Sequence, residues 1–433
     1  MSATVQQIRE AITQMYDARE RLLPYRTTDK IITALAQTAT NWLNSDYPWR
    51  LSAYQHAPGY TGFSEAMIAQ ALDLTFGTLT AEALGELVDR ELGNRRALDE
   101  FCLVGRVKTR ATGPRLITHV LGGNIPQPGI LSICCGLLLR SANLVKVSSH
   151  DPIFPVLFAE SLREVDPELA ACIAIVAWSR EDLAVTQTAL SESEAVIAYG
   201  DDPTIATLCS LTPAKARFLG YGHKVSFAVV AKEAMTVENV PALAEAAAFD
   251  ASVYDQQGCL SPHVFYVEEG GELGPRKFAM ALAEAMAAYQ ASVPRGALSA
   301  EEAAEMSTVL TGYQFRAQVD KRVAVWTSGY PTAWAVIYDD DPTFAPSTQH
   351  RLVFVKPTDG YKRILNSINR FCSNISTVGV APMHERAVGF ANDLAKLGVH
   401  RVCPIGLMQR PPLAWHHDGR PNLADLVRWM DVE

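Results

Sequence analysis

The sequence predicts an α/β fold, and three observations carry the prediction. The first hundred residues place apolar side chains at helical spacing, and from about Leu116 short β-rich runs alternate with helical segments. No internal repeat, low-complexity tract or obvious linker breaks the alternation. Strands separated by helices of this length need crossover connections, and those imply a parallel sheet.

The elements follow in order. Val5, Ile8, Ile12, Met15 and Leu22 fall near a helical period, and Thr28-Asp29 can cap a second helix through Ile32, Leu35 and Trp42. Ser64 and Thr80 open two more. Strands are expected over 116–121, 144–147, 173–176, 195–198 and 226–230. A helix over 241–251 then leads through a turn at 255–261 to a strand over 263–267. Two long helices, 275–289 and 299–317, precede strands over 333–337, 352–355 and 376–380. At 433 residues the chain has room for two or three domains. The expected division is 1–225 for a helical N-terminal region with a cofactor lobe, 226–405 for a catalytic lobe and 406–433 for a C-terminal tail.

Composition removes several classes of function. Apolar residues make up 48% and charged residues 20%, as in an ordinary globular protein. The 47 acids against 38 bases leave a net charge of -9, which gives nucleic acid no electrostatic reason to bind. The longest apolar stretch, 130–139, is broken by Ser132 and Gly136 and is about half of what a membrane span requires. Charges throughout the first helix argue against a signal peptide. The eight cysteines show no CxxC pair or zinc spacing, so they are expected as reduced thiols in a cytoplasmic protein.

The sequence contains no GxGxxG after a strand, no GxxxxGK[ST], no GxSxG and no HExxH. His416-His417-Asp418 is the one run that suggests a metal, but neighbouring side chains point apart and no second cluster completes a site. No metal is expected.

Four segments can carry chemistry. Cys259 lies in Tyr254-Asp255-Gln256-Gln257-Gly258-Cys259-Leu260-Ser261-Pro262, a polar turn between a helix and a strand. A lone cysteine is by default a small buried hydrophobe. This setting instead exposes the thiol, and Gly258 lets a substrate come close to the backbone. Only the thiolate attacks well, so a helix terminus or nearby cation must favour it. Gly122-Gly123-Asn124-Ile125-Pro126 follows the strand over 116–121. Asn124 is either a helix cap or a neutral donor for an oxyanion at the ligand-binding edge of the sheet. Lys146, Ser148 and Ser149 end the next strand at that edge. Tyr199-Gly200-Asp201-Asp202 is a further strand-to-helix turn, where Gly200 admits a phosphate only if the two acids point away.

Taken together, these segments resemble the aldehyde dehydrogenase superfamily, and within it the acyl-CoA reductase branch. The resemblance is carried by the glycine turn at Gly122-Gly123-Asn124, by Leu144-Val145-Lys146-Val147-Ser148-Ser149 and by Tyr199-Gly200. It continues through Gly220-Tyr221-Gly222-His223-Lys224 and Gln256-Gln257-Gly258-Cys259-Leu260-Ser261-Pro262. The tail adds Arg401-Val402-Cys403-Pro404-Ile405-Gly406 and Trp415-His416-His417-Asp418-Gly419. The resemblance implies a Rossmann-type cofactor lobe, a related α/β catalytic lobe and an oligomerisation element. It makes Cys259 the nucleophile and Asn124 the oxyanion donor. It places Lys146 on the adenosine ribose and Gly200 near the cofactor's diphosphate, and counts Gly222 among the cofactor-binding positions.

Two departures sharpen the expectation. Oxidising members of the superfamily carry a glutamate that activates water, whereas the matching stretch 216–226 contains no acid. Such a site suits acyl transfer to and from thiols, and so thioester reduction. NAD-preferring relatives often place a glutamate three residues beyond the lysine, and here that position is Ser149. Lys146 with Ser148 and Ser149 accommodates a 2′-phosphate that a carboxylate would repel, so NADPH is expected over NADH.

The expected reaction is NADPH-dependent reduction of an acyl thioester, as acyl-CoA or carrier-bound acyl, to an aldehyde. An acyl-transferring partner protein and a homo-oligomer belong to the same expectation. The alternatives are an acyl-phosphate reductase of the same superfamily, or a cysteine acyltransferase or thioesterase that uses no nicotinamide and pairs Cys259 with a histidine such as His263.

Overall fold

In the computed structural model, residues 2–104 and 106–433 are described. A short antiparallel pair, β1 (Cys102–Val104) and β2 (Val107–Thr112), follows the N-terminal helices. Five strands then build an all-parallel sheet: β3 (Leu116–Val120), β4 (Ala142–Lys146), β5 (Ile173–Val176), β6 (Ala195–Tyr199) and β7 (Arg217–Tyr221). The spatial order is β5-β4-β3-β6-β7. The chain therefore adds strands outward from β3 on one side, then returns to add β6 and β7 on the other. Open parallel sheets bind ligands at the carboxyl ends of the strands flanking such a reversal.

The predicted N-terminal period is realised as the helix Val5–Leu22. Its Ile8, Ile12 and Met15 pack with Leu116, Ala142 and Leu144 of the sheet. The cap of the second helix, Thr28–Leu43, sits one residue earlier than expected. Thr27 accepts from the Lys30 N–H, while the Thr28 hydroxyl donates to Asp99 instead. Thr80 caps Ala81–Leu92 as predicted, by accepting from the Ala83 N–H.

A second sheet of seven strands is assembled from β8 (Val225–Val230), β9 (Pro262–Glu268), β10 (Val323–Thr327), β11 (Ala335–Asp339), β12 (Leu352–Thr358), β13 (Ile375–Ala381) and β14 (Arg401–Pro404). The order is β10-β11-β12-β9-β8-β13-β14, and only the edge strand β10 is antiparallel to its neighbour. Every residue of β9 is buried. Phe265 and Val267 face a core shared with helices Val240–Ser252 and Pro275–Ser292, and Val264 and Tyr266 face a core shared with Ala300–Val319. A strand buried on both faces reads as a continuous apolar run, which is why β9 is legible in the sequence.

The chain's last strand, β15 (Arg428–Val432), pairs antiparallel with β2 and completes a three-stranded sheet. Two compact units result. One gathers the chain to Thr61, Ile68–His223 and Pro412–Glu433; the other comprises Gly62–Met67 and Lys224–Pro411. The tail expected over 406–433 is thus divided, with residues 406–411 in the second unit and the remainder in the first. No described helix is long and apolar enough to cross a membrane.

Candidate functional site

In the first unit, the carboxyl ends of β3, β4, β5 and β6 surround one cavity of about 540 Å³. Gly122 and Gly123 after β3, Lys146, Ser148 and Ser149 at the end of β4, and Gly200 after β6 all line it. Four of the five predicted cofactor positions are thus brought together. Gly122 has a steric reason to be glycine: a Cβ there would stand 2.6 Å from the Tyr199 carbonyl oxygen, across the reversal point. The fifth position, Gly222, does not line the cavity. Its hydrogen faces Asp202, whose Oδ1 would lie 2.5 Å from an added Cβ and which accepts from the His223 N–H. Gly222 is explained by this close packing.

Lys146 is half-buried with its ammonium 5.9 Å from the Trp178 ring centroid, and burial lowers its pKa. Trp178 and Arg180, beyond β5, line the same cavity and do not stand out in the sequence. The signal available is their place at the end of a predicted strand, one unit after Lys146. At the Gly200 turn, Asp201 occupies the helix N-terminus itself, its carboxylate accepting from the Thr204 N–H at 2.8 Å. Hydrogen bonding from Thr204 keeps that carboxyl below its ordinary pKa. The helix end is therefore already supplied with an anion and offers no uncapped N-terminus.

Asn124 follows the glycine turn and does not cap the next helix, which begins at Pro126 with no side-chain cap. Its Nδ2 donates to the Thr61 carbonyl oxygen at 2.9 Å, which orients the amide. His417, from the possible metal run, is half-buried and stacks on Tyr221 at 4.4 Å and on Trp415 at 5.0 Å. Its place in the structure is that of a packed aromatic.

In the second unit, Cys259 sits on the turn between helix Val240–Ser252 and β9, partly exposed. Its carbonyl accepts from Ser226 Oγ at 2.7 Å, and Ser226 Oγ in turn accepts from the Thr377 N–H at 3.2 Å. The Ser261 N–H closes the turn onto the Gly258 carbonyl at 2.9 Å, and Gln409 Nε2 holds Ser261 Oγ at 2.9 Å. Before the turn, Tyr254, Asp255 and Gln256 all have positive φ, at 55°, 51° and 64°. Three successive non-glycine residues in the left-handed region persist only where surrounding contacts dictate them.

Both acids near Cys259 in sequence are engaged. Asp255 is held by Arg351 Nη2 at 2.7 Å and by the Gly296 N–H at 2.9 Å. Asp250 accepts from the backbone N–H groups of Gly406 at 2.5 Å and Met408 at 3.2 Å, and burial raises its pKa to about 7. Arg401 interacts electrostatically with Cys259, Cys403 and Asp250, and it donates to the carbonyls of Met408 and Leu407 at 2.7 Å each. In the sequence its stretch stands out only as part of the resemblance. His263, the candidate partner for a cysteine hydrolase, is buried, and its Nδ1 accepts from the Ser347 N–H at 3.0 Å.

The parallel sheets, their strand orders and the helical N-terminal region define an aldehyde dehydrogenase fold. The salicylaldehyde dehydrogenase of Pseudomonas putida G7 superposes with a TM-score of 0.73 at 14% identity, over all of this chain and 91% of that one. The chain matches the family described as acyl-CoA reductase (LuxC) over residues 25–429, and it belongs to that family. Long-chain acyl-protein thioester reductases are similar along nearly the whole chain. That of Aliivibrio fischeri is 25% identical over 94% of this chain and 82% of the relative, and that of Photorhabdus luminescens is 26% identical over 93% and 82%. Membership places the chain among oxidoreductases that act on acyl thioesters, and with the fold it implies a nicotinamide cofactor.

Proposed function

We propose that this protein reduces an acyl thioester to the aldehyde with NADPH, through a thioacyl intermediate on Cys259. The observation that carries the reading is the Cys259 turn: a partly exposed thiol within electrostatic reach of Arg401, with Asp250 and Asp255 both tied up in other bonds. A cation beside a thiol favours the thiolate. A turn without an available carboxylate base is poorly equipped to activate water, so an acyl group on Cys259 is kept for transfer or reduction.

The cavity at the β3–β6 edge fits a dinucleotide. It offers apolar walls at Val120, Trp178 and Leu208, cations at Lys146 and Arg180, and hydroxyls at Ser148 and Ser149. Lys146, Ser148 and Ser149 would hold the adenosine ribose with its 2′-phosphate, and Gly122 and Gly200 would let the diphosphate approach the backbone. When bound, the nicotinamide supplies the hydride that reduces the thioacyl carbon.

The chain's own residues do the rest. Cys259 Sγ attacks the thioester carbonyl carbon and an oxyanion forms. The oxyanion collapses, the bond to the donor sulfur breaks, and the donor leaves as a thiolate that takes a proton from solvent. After reduction, the hemithioacetal on Cys259 collapses, releasing the aldehyde and returning the thiolate. Asn124 is proposed to donate to the oxyanion in both halves. The Thr61 carbonyl accepts one hydrogen bond from the amide and so helps to orient it. The backbone N–H of Cys259 is the proposed second donor. The acyl donor is a coenzyme A or carrier-protein thioester, and the protein is read as a cytoplasmic homo-oligomer. Membership of a thioester-reductase family favours this reading over the acyl-phosphate alternative, and the engagement of His263 with Ser347 disfavours a Cys–His hydrolase.

Incubation with myristoyl-CoA in the absence of nucleotide, followed by peptide mass mapping, tests the intermediate. A myristoyl mass on the peptide containing Cys259, absent from Cys259→Ala, is expected. An adduct that survives Cys259→Ala would assign another nucleophile.

A further inference from the structure

The turn that carries Cys259 is not held by its own hydrogen bonds alone. Tyr254, Asp255 and Gln256 form one left-handed triplet, and Gln349, His350 and Arg351, at φ of 65°, 56° and 67°, form another just before β12. The two triplets are joined by one buried ion pair. Asp255 is 2% exposed and Arg351 1%. Arg351 donates from Nε to Asp255 Oδ1 at 2.9 Å, and Nη2 stands 2.7 Å from the same oxygen as the charge contact of the pair.

Each partner is anchored elsewhere. Arg351 Nη1 donates to Gln290 Oε1 at 2.8 Å and to the Val293 carbonyl at 2.9 Å, and the guanidinium lies 5.2 Å from the Tyr289 ring centroid. The Arg351 carbonyl accepts from the Ala335 N–H of β11 at 2.9 Å. The other Asp255 oxygen accepts from the Gly296 N–H at 2.9 Å. Downstream, Gln256 Nε2 spans the turn to the Pro262 carbonyl at 2.9 Å. The position of Cys259 is therefore fixed on one side by β9 and on the other by a charge pair that ties it to the end of helix Pro275–Ser292 and to the start of β12. A buried pair contributes little net stability compared with apolar residues, but it fixes geometry, since removing one partner leaves a charge stranded.

We propose that Arg351 and Asp255 are positioning residues for the Cys259 thiol, setting the path of the backbone that presents it. The proposal rests on the reading of Cys259 as nucleophile. Its consequence is that loosening the pair lowers the reactivity of Cys259 without altering recognition of the acyl donor.

The test compares wild type with Arg351→Lys, Asp255→Asn and the milder Gln290→Leu, which weakens the hold on Arg351 and leaves no charge unpaired. Limited alkylation with iodoacetamide is read peptide by peptide. Exposed Cys209 serves as the internal standard, and buried Cys134 and Cys135 report unfolding. Expected is a fall of at least ten-fold in Cys259 labelling relative to Cys209 in the two charge variants, and a smaller fall in Gln290→Leu, with Cys134 and Cys135 still protected. With myristoyl-CoA, kcat should fall in the same order while KM stays within about two-fold. Unchanged Cys259:Cys209 ratios and kcat in the folded variants would overturn the proposal. So would a loss of kcat that tracks only the labelling of Cys134 and Cys135, because that is loss of folded protein. If the charge variants do not fold, Gln290→Leu alone decides by the same ratios. If wild-type Cys259 takes up no myristoyl group although it alkylates readily, the nucleophile reading fails and the positioning result stands separately.

Discussion

Asn124 and His119 show how differently a polar residue after β3 and one within it are used. Asn124 donates to the Thr61 carbonyl, and its proposed work is done only when an oxyanion forms. Losing one oxyanion donor costs about 10²–10³ in rate. Asn124→Ala is therefore expected to lower kcat by that factor, while the melting temperature moves little because one surface-edge hydrogen bond contributes only about 1 kcal/mol. Full turnover in the folded variant would remove Asn124 from the reaction. His119, by contrast, is wholly interior to β3. Its Nδ1 accepts from Ser132 Oγ at 2.7 Å and its Nε2 donates to Asn143 Oδ1 at 2.9 Å. Burial pushes its pKa down to about 4. Between pH 6.5 and 4 the unfolded chain binds a proton there that the native protein refuses, so His119 makes stability fall as the pH drops through that window. Buried Asp151 and Asp250, raised to about 7, act in the opposite direction. They are common to wild type and His119→Gln, so they cancel in the comparison. The variant should lose less stability than wild type between pH 7.5 and pH 5, by about 2 kcal/mol in urea unfolding. Equal losses would contradict the buried neutral imidazole.

At the scale of elements, the turn after β4 is proposed to choose between the nucleotides. Ser148 and Ser149 line the cavity with Lys146, and no side chain of that turn is acidic before Asp151, which is buried and accepts from the Ile153 and Phe154 N–H groups. A glutamate at position 149 would repel a 2′-phosphate and accept from a ribose hydroxyl. Ser149→Glu is expected to weaken NADPH binding at least ten-fold and to improve NADH binding, read by fluorescence titration of each nucleotide. An unchanged NADPH:NADH ratio would place the 2′ position elsewhere in the cavity. The same elements show what the sequence could and could not reveal. Strands buried on both faces, such as β8, β9 and β12, are legible because their apolar runs are unbroken. Strand β7 is not, since Arg217, Phe218 and Gly220 are only partly buried and the run reads as mixed. Strand β15 is exposed along its whole length and paired with β2, so no pattern of burial marks it. Helix Pro126–Leu138 reads as an apolar stretch broken by Gly136. Only the structure shows why: a Cβ there would fall 1.8 Å from Asn143 Oδ1, the atom that receives the His119 proton.

Across the whole molecule, the part of the site legible in the sequence is the part made of local turns. Lys146 lies near the end of a predicted strand and Gly122, Ser148, Ser149 and Gly200 just past one, and strand order alone carries them to one cavity. The Asp255–Arg351 pair and the Arg401 cation are illegible because their meaning depends on contacts between residues far apart in the chain. The packing of Gly222 is illegible for the same reason, since the close contact there comes from Asp202. The central claim is that a thiol on one turn and a nucleotide cavity on the β3–β6 edge serve a single reduction. The most direct test follows NADPH absorbance with a panel of acyl-CoA thioesters, on wild type and Cys259→Ala, with aldehyde measured in parallel. NADPH consumption matched by aldehyde, and abolished in Cys259→Ala, is the predicted result. Consumption that persists without Cys259, or thiol release from acyl-CoA with no oxidation of NADPH, would contradict it.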